Sequence, residues 1–238
     1  MRGESLCILE RERTVIAFYV TGTDTGIGKT LASCALLHVL RGRGLRAAGM
    51  KPVASGCAWI ESSWKNEDAL ALRAAGTPGI SYADINPFAF EHPLAPELAA
   101  QDAGTQVTLA PILAARDRLL AQADALVVEG VGGWAAPLSR DLMQADLARA
   151  LDLPVVLVVG LRLGCLNHAL LSARAIVADG LPLAGWVASH VDPAMERVED
   201  NLGMLRERLP APCWGVLPHA PGADPAMLAA HLHVPEHV

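Results

Sequence analysis

The chain predicts an α/β protein: a mostly parallel, doubly wound sheet with helices on both faces. Three observations carry that expectation. Apolar runs of strand length alternate with Ala- and Leu-rich stretches of helix length. Several of the strand runs, such as "ALVVEG" and "PVVLVVG", are continuously apolar rather than alternating. A glycine-rich turn ending in Gly-Lys-Thr joins the first run to the first helical stretch. A strand that is apolar on both faces needs helices on both sides, and strand–helix–strand alternation brings successive strands parallel.

In chain order, the expected strands are Val15–Gly22, Arg46–Val53, Ala125–Gly130, Pro154–Gly160, Leu183–Ser189 and Cys213–Pro218. The helices expected between them are Thr30–Arg41, Asp68–Ala75, Leu109–Gln122, Met143–Leu151, Leu166–Ala178 and Glu196–Leu209. No internal repeat or linker interrupts the pattern. Residues 1–14 therefore read as a short N-terminal extension, and 15–238 as a single domain. The stretch from Cys57 to Pro111 is less regular and richer in Pro, Gly and Trp. It is expected to drape over the carboxyl ends of the strands, where ligands of such sheets bind.

Composition narrows the function classes. The 238 residues are 52% apolar with a mean hydropathy of +0.32, so a membrane span must be considered. The most apolar run, Leu153–Leu161, is far shorter than the roughly 20 residues a spanning helix needs. The first residues mix acids with bases and lack an apolar core, unlike a signal peptide. A cytoplasmic protein without a membrane partner is expected. Lys and Arg total 19 against 25 Asp and Glu, a net charge of −6 with no long basic run. No nucleic-acid partner is expected on that balance. Five scattered cysteines without a C-x-x-C pair suggest neither a disulfide framework nor a zinc site.

The stretch "VTGTDTGIGKT" carries the first functional signal. A standard phosphate loop has four residues between its two glycines; here five separate Gly22 from Gly28. The context is nevertheless that of such a loop, with an apolar strand before it and an amphipathic helix after it. Backbone N–H groups near Gly26–Thr30 would point into the loop, reinforced by the partial positive charge of the helix start. Lys29 would reach the outer phosphates of a nucleotide, and the Thr30 hydroxyl would ligate magnesium.

A magnesium-bound nucleotide needs carboxylates. Glu129 closes an apolar strand just before Gly130, Gly132 and Gly133, a place from which a carboxylate reaches a metal. Asp68 opens a helix, where helix-dipole stabilisation is an equally good account of an acid. Lys51 ends the second strand, followed by Pro52 and Ser55. A lysine there faces the ligand crevice and can stabilise charge on a transferring phosphoryl group or a carboxylated substrate.

Together "VTGTDTGIGKT", "GMKPVASG", "NEDALAL", "VEGVGGW", "VVGLRLGCLNHALL" and "LAGWVA" resemble the dethiobiotin synthetase family in order and spacing, over roughly Phe18 to Pro218. The five-residue glycine gap is that family's variant of the phosphate loop. The resemblance implies a P-loop NTPase-like fold and an ATP-dependent ring closure in biotin biosynthesis. 7,8-Diaminopelargonic acid and CO2 (or bicarbonate) would become dethiobiotin through a carbamate and a carbamic-phosphoric anhydride, with ATP as co-substrate and Mg2+ as cofactor. It implies Lys51 and Lys29 as catalytic lysines and Thr30, Asp68 and Glu129 as magnesium ligands. ATP contacts would come from Gly26, Ile27, Gly28, Lys29, Thr30, Leu31, Asp68, Glu129, Gly130, Val131, Gly132, Ser189, His190, Pro218, His219 and Ala220. Ser55 would touch the substrate. Gly164, Cys165, Leu166 and Asn167, at a helix start, would capture the substrate carboxylate from a neighbouring subunit, which implies a homodimer with the active site at its interface.

One departure stands out. After "GWVA" the family usually carries an asparagine that reads adenine; this chain has Ser189 and His190. A serine hydroxyl cannot make the paired donor–acceptor contact of an amide, so weaker base discrimination is expected. Gly26 stands where some relatives carry glutamate. Trp134 could wall the substrate site, whereas Trp186 and Trp214 read as packing residues. Two rival readings fit less well. A regulatory partitioning-type ATPase would carry an extra lysine early in the loop, where Thr23 and Asp24 stand. A glutamine-dependent amidating synthetase of the cobalamin pathway would need a glutaminase domain for which the length leaves no room.

Overall fold

The computed structural model describes residues 15–236. The expected N-terminal extension, residues 1–14, lies outside the described residues. Six strands form one sheet: β1 (Ile16–Gly22), β2 (Ala47–Met50), β3 (Ala125–Glu129), β4 (Val155–Gly160), β5 (Leu183–Ser189) and β6 (Cys213–Leu217). Their order is β6-β5-β4-β1-β3-β2, and every neighbouring pair is parallel. The principal helices are α1 (Lys29–Gly42), α2 (Glu67–Ala75), α3 (Leu109–Gln122), α4 (Gln144–Leu151), α5 (Cys165–Ala178) and α6 (Val198–Arg208).

The continuous apolarity of the strands has the expected cause. On one face of the sheet, Phe18 and Val20 of β1 pack with Leu36, Leu37 and Leu40 of α1. On the other, Tyr19 joins a core that includes Ile112 and Leu119 of α3, Leu147 of α4 and Ile176 of α5. All of these side chains are essentially solvent-free, and each apolar one contributes about 1.5–3 kcal/mol by its removal from water. The chain runs outward from β1 to β2, returns to β3, then crosses to β4 on the far side of β1. That reversal of direction leaves a crevice at the carboxyl ends of β1, β3 and β4.

Where element ends differ from the sequence reading, local geometry explains it. The second strand was expected to reach Val53 but stops at Met50, because the Lys51 N–H turns away to donate to the Ile85 carbonyl at 2.7 Å. Val53–Ala54 then pairs with Phe88–Ala89 as a separate small ladder. Helix α6 starts at Val198 rather than Glu196 because Arg197 takes a left-handed conformation, φ 55°. The connection between β2 and α3 is not featureless. It holds the hairpin Ala58–Ile60/Ser63–Lys65, with Trp59 and Trp64 in edge-to-face contact, and short helices at Tyr82–Ile85 and Pro96–Asp102. Trp134, Trp186 and Trp214 are buried, while Trp59 is 62% exposed. Among the described residues no helix is long and apolar enough to cross a membrane.

Candidate functional site

The loop between β1 and α1 folds as its glycines require. Gly26 and Gly28 have φ of +71° and +83°, where a side chain is strained. Gly28 is the N-cap of α1 and offers no side-chain cap, so the first N–H groups of the helix stay free to meet an anion. A Cβ on Gly28 would come within 2.5 Å of the Ser189 hydroxyl, so β5 underlies the loop directly. The Lys29 ammonium folds back onto the Asp24 carbonyl at 2.7 Å. Asp24 in turn pairs with Arg162 and accepts from the Thr25 N–H.

Opposite the loop, four strand and helix ends converge. Met50 of β2 pairs in register with Val128 of β3, so the next positions along, Lys51 and Glu129, come out side by side. Lys51 Nζ lies 2.6 Å from Glu129 Oε1, 3.0 Å from Asp68 Oδ2 and 3.3 Å from the Gly130 carbonyl. The Thr30 hydroxyl lies 2.8 Å from Asp68 Oδ1 and 2.9 Å from Glu129 Oε1. Lys51 and Glu129 are 3% and 0% exposed. Asp68 is within reach because Asn66 caps α2, its side chain accepting the Ala69 N–H, and so sets the first turn of that helix over the crevice.

Burial pushes the Lys51 ammonium toward a lower value; the Glu129 and Asp68 carboxylates outweigh it and hold the group above its ordinary value. Burial likewise works against the Asp68 carboxylate, yet Lys51 and the Thr30 hydroxyl keep it below its usual range. Lys29 is the contrast. Burial, with the repulsion of Lys51 added, brings it down to about 8. A protonated Lys51 and a readily titrated Lys29 thus share one cavity.

That cavity, of about 260 Å3, is lined by loop residues 25–30, Lys51, Asp68, Glu129, Val131 and Gly132 among others. It is not the largest. One of about 720 Å3 lies against α5 and α6 between Leu170, Val177 and Arg208, and one of about 520 Å3 lies beneath Phe88, Phe90 and Trp64. Neither gathers charged groups of both signs at bonding distance, and convergent charge marks the chemistry better than size does.

The donor set fits a hard divalent cation. Thr30 has one hydroxyl proton to offer two carboxylates, at 2.8 and 2.9 Å, and the single Lys51 ammonium offsets their two negative charges only in part. Glu129 Oε2 is buried without a partner. A hydroxyl with two carboxylates is the oxygen-rich arrangement magnesium takes, completed by water and phosphate.

Other expected site residues sit around this centre. A Cβ on Gly130 would stand 2.0 Å from Gln144 Nε2, so a side chain there would have to displace the Gln144 amide. Leu31 lies in the first turn of α1 and does not line the cavity. Ser189 is buried and its hydroxyl backs onto Gly28. His190, at the end of β5, donates its N–H to the Leu217 carbonyl, and His219 Nδ1 lies 3.1 Å from the His190 carbonyl. Pro218, His219 and Ala220 thereby cap the same end of the sheet. The Ser55 hydroxyl donates to the Leu94 carbonyl. Gly164, φ +95°, is the N-cap of α5, and Cys165, Leu166 and Asn167 form its first turn. Trp134 donates its indole N–H to Asp179 at 2.7 Å and borders a second hollow, of about 410 Å3, with Thr23, Gly133 and Leu171.

A family model described as an AAA domain matches residues 17–226. The ATP-dependent dethiobiotin synthetase BioD of Xanthomonas euvesicatoria pv. vesicatoria is 64% identical over 92% of this chain and 98% of its own length. That of Xylella fastidiosa is 64% identical over 91% of this chain and 96% of its own. The chain belongs to the ATP-dependent dethiobiotin synthetase family. Among solved structures, the cell division protein ftsY of Thermotoga maritima superposes with a TM-score of 0.51 at 14% identity, covering 90% of this chain and 67% of that one. The signal recognition particle 54 kDa protein of Aeropyrum pernix, in complex with GDP, gives 0.52 at 12%, covering 87% and 42%. These two show a shared fold alone, the parallel sheet of P-loop proteins.

Several buried polar residues around the candidate site escaped the sequence reading. Asn66 and Asn86 are 5% and 4% exposed, and Gln144 is 1% exposed. Asn66 had a readable signal, an Asn directly before a helical run. Asn86 and Gln144 had none, because a buried amide is defined by partners remote in the chain.

Proposed function

We propose that this chain closes the ureido ring of dethiobiotin from 7,8-diaminopelargonic acid, CO2 and ATP, as the enzyme names of its relatives state at the coarser level. The observation that carries the reading is Lys51: a buried, protonated ammonium held between two carboxylates at the mouth of a phosphate loop. In this reading the free N–H groups at the start of α1 and the Lys29 ammonium hold the outer phosphates of ATP. Thr30, Asp68 and Glu129 hold Mg2+. When bound, the metal supplies charge neutralisation at the phosphate oxygens.

Lys51 is the group best placed to serve the reacting carbon and phosphorus. One substrate amine takes up CO2 as a carbamate, and the carbamate oxygen attacks the γ-phosphorus, displacing ADP. The second amine then attacks the carbonyl carbon of the mixed anhydride, phosphate leaves, and the ring closes. Every transition state along this path carries more negative charge near Lys51 than the separated reactants, which a fixed ammonium in a water-poor pocket stabilises. The protein's other task is to align two amines with one carbon, an entropic contribution.

Ser55 is assigned to the substrate. The first turn of α5, Gly164–Asn167, is assigned to the carboxylate of a substrate in the neighbouring subunit's site, which makes the working unit a homodimer. Residues 15–238 form the catalytic domain in this reading, and its setting is the cytoplasm. Ser189, His190, Pro218, His219 and Ala220 surround the base, with the Ser189 hydroxyl lying against Gly28 of the loop. Turnover with CTP and GTP is expected within about tenfold of that with ATP; a strong ATP preference refutes that part.

The decisive measurement is phosphate release from ATP with Mg2+ and bicarbonate, with and without the diamine, for wild type and Lys51→Ala. The expected result is release that needs the diamine, yields dethiobiotin, and falls by about 10²–10³-fold in the variant. Release that ignores the diamine overturns the assignment.

A further inference from the structure

Lys51 leaves the sheet one residue after β2 ends, so neither its N–H nor its carbonyl is held by a neighbouring strand of the main sheet. Both are held instead by residues from a remote turn. The N–H donates to the Ile85 carbonyl at 2.7 Å, and the carbonyl accepts from Asn86 Nδ2 at 2.7 Å. Asn86 uses its whole amide: Nδ2 also donates to the Phe88 carbonyl at 3.1 Å, and Oδ1 accepts the Tyr82 hydroxyl at 3.0 Å. That hydroxyl accepts in turn the N–H of Asn66 at 2.7 Å. Asn66 caps α2 through Oδ1 and donates Nδ2 to the Ser55 carbonyl at 3.3 Å.

These bonds close a ring. From the Lys51 carbonyl the path runs through Asn86, Tyr82 and Asn66 to the first turn of α2. Asp68 in that turn accepts the Lys51 ammonium at 3.0 Å, completing the circuit through the side chain. Ser55 hangs from the same ring. Three groups that the proposed function uses are thus tied to one another by three side chains it does not use. Two of those, Asn66 and Asn86, are almost wholly buried. A fully satisfied buried polar network has one low-energy arrangement, because breaking any bond strands a desolvated partner.

We infer that Tyr82, Asn86 and Asn66 are positioning residues that set the Lys51 ammonium and the Asp68 carboxylate in register for the reaction. The inference rests on the reading of Lys51 given above. Tyr82 is the joint of the ring, its hydroxyl donating to one arm and accepting from the other. Removing that hydroxyl breaks no bond made by the phosphate loop or by Glu129, but it loosens the turn that carries Asp68. Its effect therefore falls on the step in which Lys51 acts and, through Asp68, on the metal-bound nucleotide.

The test is Tyr82→Phe in the full chain, which deletes one oxygen and keeps the ring in its packing. Expected are a kcat for dethiobiotin formation lower by about tenfold to a hundredfold and a KM for the diamine within about threefold of wild type. Such a split marks an interaction that matters in the transition state. In a Lys51→Arg background, where a longer, planar guanidinium replaces the ammonium between the two carboxylates, Tyr82→Phe is expected to add at most about twofold, since both changes disturb one unit. An unchanged kcat for Tyr82→Phe overturns the inference, as does a kcat loss that persists undiminished on top of Lys51→Arg or a parallel rise in the KM for the diamine. If Lys51→Ala keeps full activity, the functional reading itself falls; if Lys51→Ala is inactive and Tyr82→Phe is normal, only the positioning role falls.

Discussion

Two lysines face each other across the site, and the segments that present them are built on opposite plans. Lys29 stands on a loop whose shape comes from its own glycines and whose next residues start a helix. Lys51 stands on a segment held by side chains more than thirty residues away. The first plan is local, so it recurs wherever the motif is written. The second is distributed, so no short stretch reveals it. The electrostatics divide the same way. Lys29 has a carbonyl for a partner and titrates near 8, whereas Lys51 has two carboxylates and stays charged.

The largest expected effect that would break this comparison is in the glycine itself. Gly28→Ala forces a side chain onto φ +83° and into the Ser189 hydroxyl. Strain of that kind costs about 1–3 kcal/mol, and the loop can relieve it only by leaving the shape that binds phosphate. ATP affinity by calorimetry is expected to fall by more than about tenfold. Adding Ser189→Gly removes the clash but not the φ penalty, so recovery should be partial; full recovery would mean the loop's backbone is not what makes it fit.

The next effect separates the two lysines by pH. Lys29 titrates at about 8, below the 10.5 of an ordinary lysine. Because the folded value is the lower one, its charged form destabilises the fold below about pH 8, and that penalty fades as pH rises toward 10.5. Phosphate binding requires the ammonium, so the sign for ATP is the reverse. Affinity is expected to weaken as pH rises through about 8, by up to about tenfold per unit, with a proton taken up on binding. Titrations at pH 8.5 in buffers of different ionisation enthalpy would show the uptake. Lys51, raised by its carboxylates, should add no such step below pH 10.

The smallest effect tests the distributed plan at its weakest joint. Asn66→Asp keeps an acceptor for the Ala69 N–H and loses the donor to the Ser55 carbonyl. The cap survives, but an acceptor now faces the Ser55 carbonyl at a buried side chain, so a loss of about 1–3 kcal/mol is expected, with the melting temperature falling by about 2–4 °C for each kcal/mol. A larger fall would show that the Ser55 bond, and not the cap, anchors α2.

The same division explains what the sequence disclosed. Helix α3 appears at its expected limits, Leu109–Gln122, and all six strands fall where apolar runs predict them, because periodicity and run length are local properties. Thr30, Asp68, Glu129 and Lys51 were singled out one by one at element ends, and the family resemblance, not the residues themselves, grouped them in one site. What brings the last two together is the β2–β3 register, in which Met50 faces Val128. The connection from Val53 to Thr108 was the least legible part. Its strands are two or three residues long, and it holds two non-glycine residues, Glu61 and Ser62, in left-handed conformation at a hairpin tip. Such elements are too short for any period to appear, and they are stabilised by contacts such as Trp59 on Trp64.

The position of β1 in the middle of the sheet has a consequence for synthesis. Its two partners are residues 125–129 and 155–158, so the first strand made waits for more than a hundred residues before either edge can pair. At roughly 5–20 residues per second, Phe18, Tyr19 and Val20 remain without a strand partner for roughly 5–20 s on the ribosome. The phosphate loop hangs from that strand. The loop therefore cannot take its place in the sheet until more than half of the chain has been made, and during that interval the nascent chain carries an apolar strand open on both edges.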